Sequence, residues 1–320
     1  MPAAAVTRRP PPPGFFVFLK HGFLLPARHR GLFLPLLALT AALAAGLLLA
    51  NFLAVQPLAA AVLLDANAIS HAHRASAAYP GLVRKLKSDL RRLLLDVGAC
   101  LLAAVLAGSA IKIATVFAAV AAFSGTGRPT VLRSARGNLL GPVLTVAFGY
   151  VLQVACAAAI VALALLMVYL LEYSLLLLFL DLLLVLLASL FLVYLTVVCA
   201  VALVVSAAEP GRRGVAAVSR AWRLMERKNA QAVFYLVATC ALGAAVSPVY
   251  TLALSWWQQQ RPWSGVAAGV AYVVLLGAVE VFSVAALTAY YFECRDSKEE
   301  EEEMARHRYV KLPNGDQAHI

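Results

Sequence analysis

Apolar residues run along this chain in long unbroken blocks, with neither the alternation of a half-buried strand nor the one-sided stripe of a surface helix. The blocks cover residues 31–64, about 94–122, 139–171, 174–207, 230–257 and 266–292. Each is longer than the roughly 20 residues that carry a helix across about 30 Å of hydrocarbon. Residues 139–207 are far too long for one crossing, so "LEYSL" at 171–175 must be the turn of a hairpin. Continuous runs also argue against a transmembrane barrel, whose strands alternate lipid-facing and lumen-facing residues. The pattern predicts an all-α polytopic membrane protein, with six transmembrane helices and short cytosolic interfacial helices. Three regions follow: a cytosolic segment over 1–30, the six-helix domain over 31–292, and a cytosolic charged tail over 293–320.

Composition agrees with the pattern. Of 320 residues, 62% are hydrophobic and 13% charged, and mean hydropathy is +0.83, too little polar surface for a soluble domain of this length. Residues 1–14 hold no apolar core followed by a small-residue cleavage site, so the first block is expected to direct insertion itself. The net charge of +11 is concentrated at the ends of apolar blocks, where anionic headgroups would meet it. Alternate linkers and the two termini carry 19 Lys and Arg residues against 7 on the opposite side. The positive-inside rule therefore puts both termini in the cytosol, in a membrane of the secretory pathway, the endoplasmic reticulum or the plasma membrane. One segment dissents: "RKLKSDLRR" at 84–92 is basic and yet assigned outside.

The linker after the fourth block, "VSAAEPGRRGVAAVSRAWRLMERKNAQAVFYL", shows how such a basic segment is built. Pro210 ends the preceding helix, because proline disfavours helix in the residue before it. Beyond Gly211, Val215, Val218, Trp222 and Met225 share one helical face, and Arg213, Arg220, Arg223 and Arg227 share another. The expected element is an amphipathic interfacial helix, with Trp222 at the headgroup boundary and the arginines on anionic lipid. Residues 16–39 and 123–150 also place a breaker and a short basic segment before a span, so the chain reads as three loosely similar modules.

At these linkers the sequence resembles a plant family of six-span membrane proteins of unknown function, loosely labelled polyadenylate-binding-protein-binding. The resemblance rests on "FSGTGRP" after the second block, on the linker just quoted, where Glu209, Pro210 and Gly214 fall on the family's Glu-Pro-then-Gly pattern, and on "LKHGFLLPARHRGLFLPLLALT", "YYFEC" and "YVKLP". It implies the six-span fold and no chemistry that maps onto residues. Nothing in the chain resembles an RNA-binding module with its stacking platform, so no nucleic-acid partner is expected.

Within the spans, Lys112 and Glu280 stand out, since intramembrane charges are functional candidates by default. Counted from the cytosolic ends of their blocks they lie at similar depth, which allows an ion pair. Asp96 and Asp181 fall near the outer ends of their blocks and read as boundary residues reaching water. In the tail, Cys294 sits where reversible palmitoylation occurs, and Tyr309 to Leu312 has the form of a tyrosine-based sorting signal read as an extended strand. No metal-ligand spacing, phosphate loop or hydrolase motif is present in the sequence, so no cofactor, metal or catalytic residue is expected. The expected role is non-enzymatic contact with anionic lipid of the cytosolic leaflet, or with protein, through the basic segments. The alternative is a small-solute or ion transporter that uses Lys112 and Glu280.

The topology is checked by accessibility. Cysteines introduced between residues 84 and 92 should label from outside the cytosol, and cysteines at Ala216 or Gln317 from inside. Cytosolic labelling of 84–92 would require the first block to re-enter or cross twice.

Overall fold

The fold is a set of α-helices in a computed structural model that describes residues 17–71, 79–125, 139–170, 175–209, 211–226, 228–258 and 262–310. The expected hairpin turn at 171–174 and the basic segment at 126–138 lie outside the described residues. Helix α1 (Val17–Arg28) leads into α2 (Arg30–Ala50), a single π-turn (Asn51–Val55) and α3 (Gln56–His71). Next come α4 (Tyr79–Phe123), α5 (Leu140–Leu170), α6 (Leu175–Ala208), α7 (Val215–Met225), α8 (Asn229–Gln258) and α9 (Pro262–Val310). Hydrocarbon offers no partner for a backbone amide, so a spanning segment must satisfy its own, and helix does so. Hydroxyls inside the spans follow the same rule: Thr40, Thr115 and Ser189 each donate to the carbonyl four residues back.

The π-turn has a local cause. Pro57 has no N–H to give, and its ring would crowd the carbonyl of Leu53. Widening the helix over Asn51–Val55 relieves that contact without stopping the rod.

Six helices are long and apolar enough to cross a membrane: Arg30–His71, Tyr79–Phe123, Leu140–Val168, Leu175–Ala208, Asn229–Trp256 and Trp263–Glu299. At 1.5 Å per residue, the 45 residues of α4 and the 49 of α9 run to roughly 67 and 73 Å, more than twice one crossing. Burial explains the surplus. The buried residues of α4 begin at Ile111, and those of α6, apart from Asp181, at Leu195. In α9 they concentrate between Val281 and Cys294. These stretches meet α1, α7 and the start of α8 in one packed core at the basic end of the molecule. Below it the helices present leucine and valine outward, as lipid contact requires. At the far end α3 pairs with the start of α4, and Lys85 Nζ lies 3.0 Å from the buried Asp65 carboxylate.

Helix α9 is the element that α1, α2, α4 and α8 share. Its small residues let neighbours approach. A Cβ added at Gly277 would stand 3.2 Å from Leu37 Cδ1 and 3.4 Å from the Leu37 carbonyl oxygen. Gly22 of α1 sits so close to α9 that an added Cβ would meet Ala286 Cα at 2.7 Å. The α9 backbone continues through residue 292 as unbroken helix, so the expected tail begins as the last turns of a span.

Gly22→Ala tests the contact, because two effects of opposite sign compete. Alanine favours helix over glycine by about 1 kcal/mol, but the methyl here meets backbone that cannot rotate away, and overpacking costs about 1–3 kcal/mol. The clash should win and lower the Tm of the detergent-solubilised protein. Gly243→Ala, where the added Cβ meets nothing within 4 Å, should leave Tm unchanged or raise it.

Candidate functional site

The linker between α6 and α7 is a built corner. After Ala208 the chain turns through Glu209, and Gly214 caps α7 at φ +53° and ψ −120°, a conformation costly for any residue with a Cβ. Gly214 N–H donates to Thr145 Oγ1 of α5 at 3.0 Å, and Thr145 Oγ1 donates to the Gly141 carbonyl at 2.9 Å. The Glu209 carboxylate gathers the rest. Tyr291 of α9 donates its hydroxyl to Glu209 Oε1 at 3.0 Å. Arg212 Nε is 2.7 Å from Oε2, and Arg220 Nε of α7 is 3.7 Å from Oε1. One acidic side chain thus ties α6, α7 and α9 together.

A second polar group lies beside it. Lys228 Nζ donates to the Glu293 carbonyl oxygen at 3.1 Å, with the Glu293 carboxylate 3.9 Å away. Tyr290 donates to the Lys228 carbonyl at 3.3 Å. These contacts fix the α7–α8 turn on α9. Arg227 and Pro210 lie outside the described residues.

Helix α7 is docked on the bundle through one face of small and apolar residues. Ala217, Ala221, Leu224 and Met225 are buried against the bundle. Val215 is 64% exposed and Trp222 41% exposed, with the indole edge-on to Tyr194 of α6 at 5.2 Å. Of the face Val215, Val218, Trp222 and Met225, only Met225 is fully buried in protein. Small alanines are what allow α7 to lie flat on its neighbours. Arg213 and Arg223 are exposed and Arg220 half-buried, so α7 presents an outward surface of valine, tryptophan and arginine.

Lys112 and Glu280 come together, Nζ to Oε2 at 3.9 Å, in the wall of a cleft of about 170 Å³ between α2, α4 and α9. Both are about half exposed. Gly277 packs between the levels of Leu37 and Ala41 on α2, so Glu280, three residues nearer the basic end, sits about six residues, roughly 9 Å, below Arg30. One turn before Lys112, Ser109 donates to the Tyr150 hydroxyl of α5 at 3.3 Å.

Three further positions depart from expectation. Cys294 is 3% exposed within the core, so its thiol is not presented at the boundary where an acyl chain would be added. Asp181 is 3% exposed rather than wetted, whereas Asp96 is exposed and shares a cavity wall with Arg92. The backbone is helical through Val310, so Tyr309 stands on a helix and not on the extended strand an adaptor groove takes. Its side chain, and Leu312, lie outside the described residues. Thr145 and Tyr291 were not singled out from sequence. Their signal, a polar side chain near the end of an apolar run, is shared by too many other residues.

These features define a helical multi-pass integral membrane protein with a packed polar corner at its basic end. The chain belongs to the family described as a domain of unknown function (DUF8558), whose model matches residues 14–307. No curated protein and no solved structure matches it.

The corner predicts coupled stability. Tyr291→Phe removes one hydrogen bond and should cost about 1 kcal/mol; Glu209→Ala leaves the Tyr291 hydroxyl without its acceptor and Arg212 and Arg220 without their counter-charge, and should cost about 1–3 kcal/mol. Thermal melts of both singles and the double should show the losses falling short of additive, by at least about 0.5 kcal/mol. Strict additivity would mean the Tyr291–Glu209 contact carries no stability.

Proposed function

We propose that this protein acts without catalysis, as a membrane-embedded component that holds a basic, aromatic-edged surface against the anionic headgroups of the cytosolic leaflet. The observation that carries the reading is α7: docked through its alanines, it keeps Val215, Trp222, Arg213 and Arg223 outward. A helix held this way loses little conformational freedom on meeting lipid, so the ordering cost of binding is low. In this reading the α7 end and both termini face the cytosol of a secretory-pathway membrane. Kinship with the plant six-span family belongs to the same proposal, with lipid rather than RNA as the contact. A protein partner would meet the same surface.

One observation favours a second reading, solute or ion transport: Lys112 and Glu280 lie 3.9 Å apart in the wall of a cleft. Flux in reconstituted vesicles that vanishes in both Lys112→Ala and Glu280→Gln would establish that reading over the first.

The lipid reading is tested on the full-length protein in nanodiscs. Each basic residue near an anionic surface contributes about 1 kcal/mol, screened by salt. The double variant Arg213→Gln, Arg223→Gln, which spares the Glu209 corner, should weaken enrichment of anionic lipid about ten- to thirty-fold at low salt. Wild-type enrichment should fall towards the variant's as salt rises. An unchanged, salt-insensitive profile in the variant would leave the arginines a topological role alone.

A further inference from the structure

Lys112 and Glu280 attract each other at 3.9 Å, a separation too long for a hydrogen bond. Among the described residues neither the ammonium nor the carboxylate has a hydrogen bond to protein, and both are about half exposed in the wall of their cleft. That is a poor way to hold two charges inside membrane-spanning helices. Such charges are stabilised when their hydrogen-bonding capacity is met, and this pair brings an ammonium with three N–H donors and a carboxylate with two acceptor oxygens.

The rest of the wall narrows what could meet them. Thr40 of α2 and Thr115 of α4 line the same cleft. Each gives its proton to the carbonyl four residues back, at 2.8 Å, so each hydroxyl oxygen is left as an acceptor. The cleft therefore offers one cationic donor and, on the other side of the balance, a carboxylate and two hydroxyl oxygens. The remainder is apolar, with Leu43 and Leu47 of α2 and Leu276 of α9. Size sets a further limit: a dry cavity of about 150 Å³ takes a benzene-sized body, and this cleft has about 170 Å³. A small anion or cation would meet one charge and be repelled by the other. An apolar solute would answer neither. A small zwitterion with an apolar side chain answers both and fills the rest.

We propose that this cleft binds a small aliphatic amino acid as its zwitterion, the carboxylate on Lys112, the ammonium on Glu280 and the side chain against the leucines. The ligand replaces one long contact by two charge-assisted hydrogen bonds, and the threonine oxygens are further acceptors for its ammonium. The proposal deepens the transport reading, on whose cleft it rests, and uses none of the residues of α7.

Full-length protein in nanodiscs, titrated with radiolabelled leucine, tests it. Wild type should bind leucine saturably, one per chain. Leucinamide, which lacks the carboxylate, and 4-methylpentanoate, which lacks the ammonium, should compete roughly ten- to hundred-fold more weakly, the loss expected for one charged hydrogen bond. Tryptophan, with the same charges and a side chain too large for the cleft, should compete no better than they do. These comparisons use wild type alone, so no variant has to fold for them to be read. Lys112→Gln combined with Glu280→Gln, which leaves no lone charge behind, should abolish binding. The proposal is overturned if wild type binds no leucine, if tryptophan or either analogue matches leucine, or if the double variant still binds. The transport reading fails separately. Leucine binding without flux would sink that reading and leave the site standing, and flux of another solute that needs both residues, with no leucine binding, would do the reverse.

Discussion

Close approach of backbones along α9 is the contact on which the rest of the molecule depends. In lipid there is little hydrophobic gain from bringing helices together, so packing must come from dispersion over surfaces that fit, and small residues provide the fit. Gly277 admits α2, and Ala286 faces Gly22 of α1. Higher on the same helix, Ala285 and Ala289 are buried among side chains of the core. Without these positions α1 and α2 would stand off by a side-chain width.

The length of the helices follows from the same arrangement. A span needs roughly 20 residues, yet α4, α6 and α9 run to 45, 34 and 49. Their surplus at the basic end builds a core in which Tyr290 and Tyr291 are fully buried, with Phe18 edge-on to Tyr290 at 6.0 Å. Tyrosine suits that position because its ring packs while its hydroxyl reaches a partner: the Lys228 carbonyl in one case, the Glu209 carboxylate in the other. The polar corner and the apolar core therefore stabilise one structure. Glu209, Lys228 and Glu293 satisfy groups that the packing would otherwise bury unpaired.

Helix α7 shows how small residues fix a short helix. Its alanine face fastens it to the bundle and leaves Val215, Trp222, Arg213 and Arg223 exposed. Cys294 and Tyr309 illustrate the opposite case: a thiol taken into the core and a signal residue held on a helix, each in a motif whose chemistry needs a different setting.

The sequence by itself determined the class of fold, because six blocks of apolar residues longer than a bilayer admit helix and little else. It also marked the α6–α7 linker, where Glu209, Pro210, Gly211 and Gly214 interrupt an apolar run so abruptly that a corner must follow. Tertiary structure decided which face of α7 is buried: period and charge define two usable apolar faces, and only the neighbours' shape selects the one with alanines. It decided that Lys112 and Glu280 meet, at 3.9 Å, since residue counting fixes neither which helices are neighbours nor how they are rotated. The close approach at Gly22 and Gly277 was illegible for a related reason. Alanine, leucine and valine fill a close contact or line a groove with equal ease, and the distance between two helices is set by the small residues of both together.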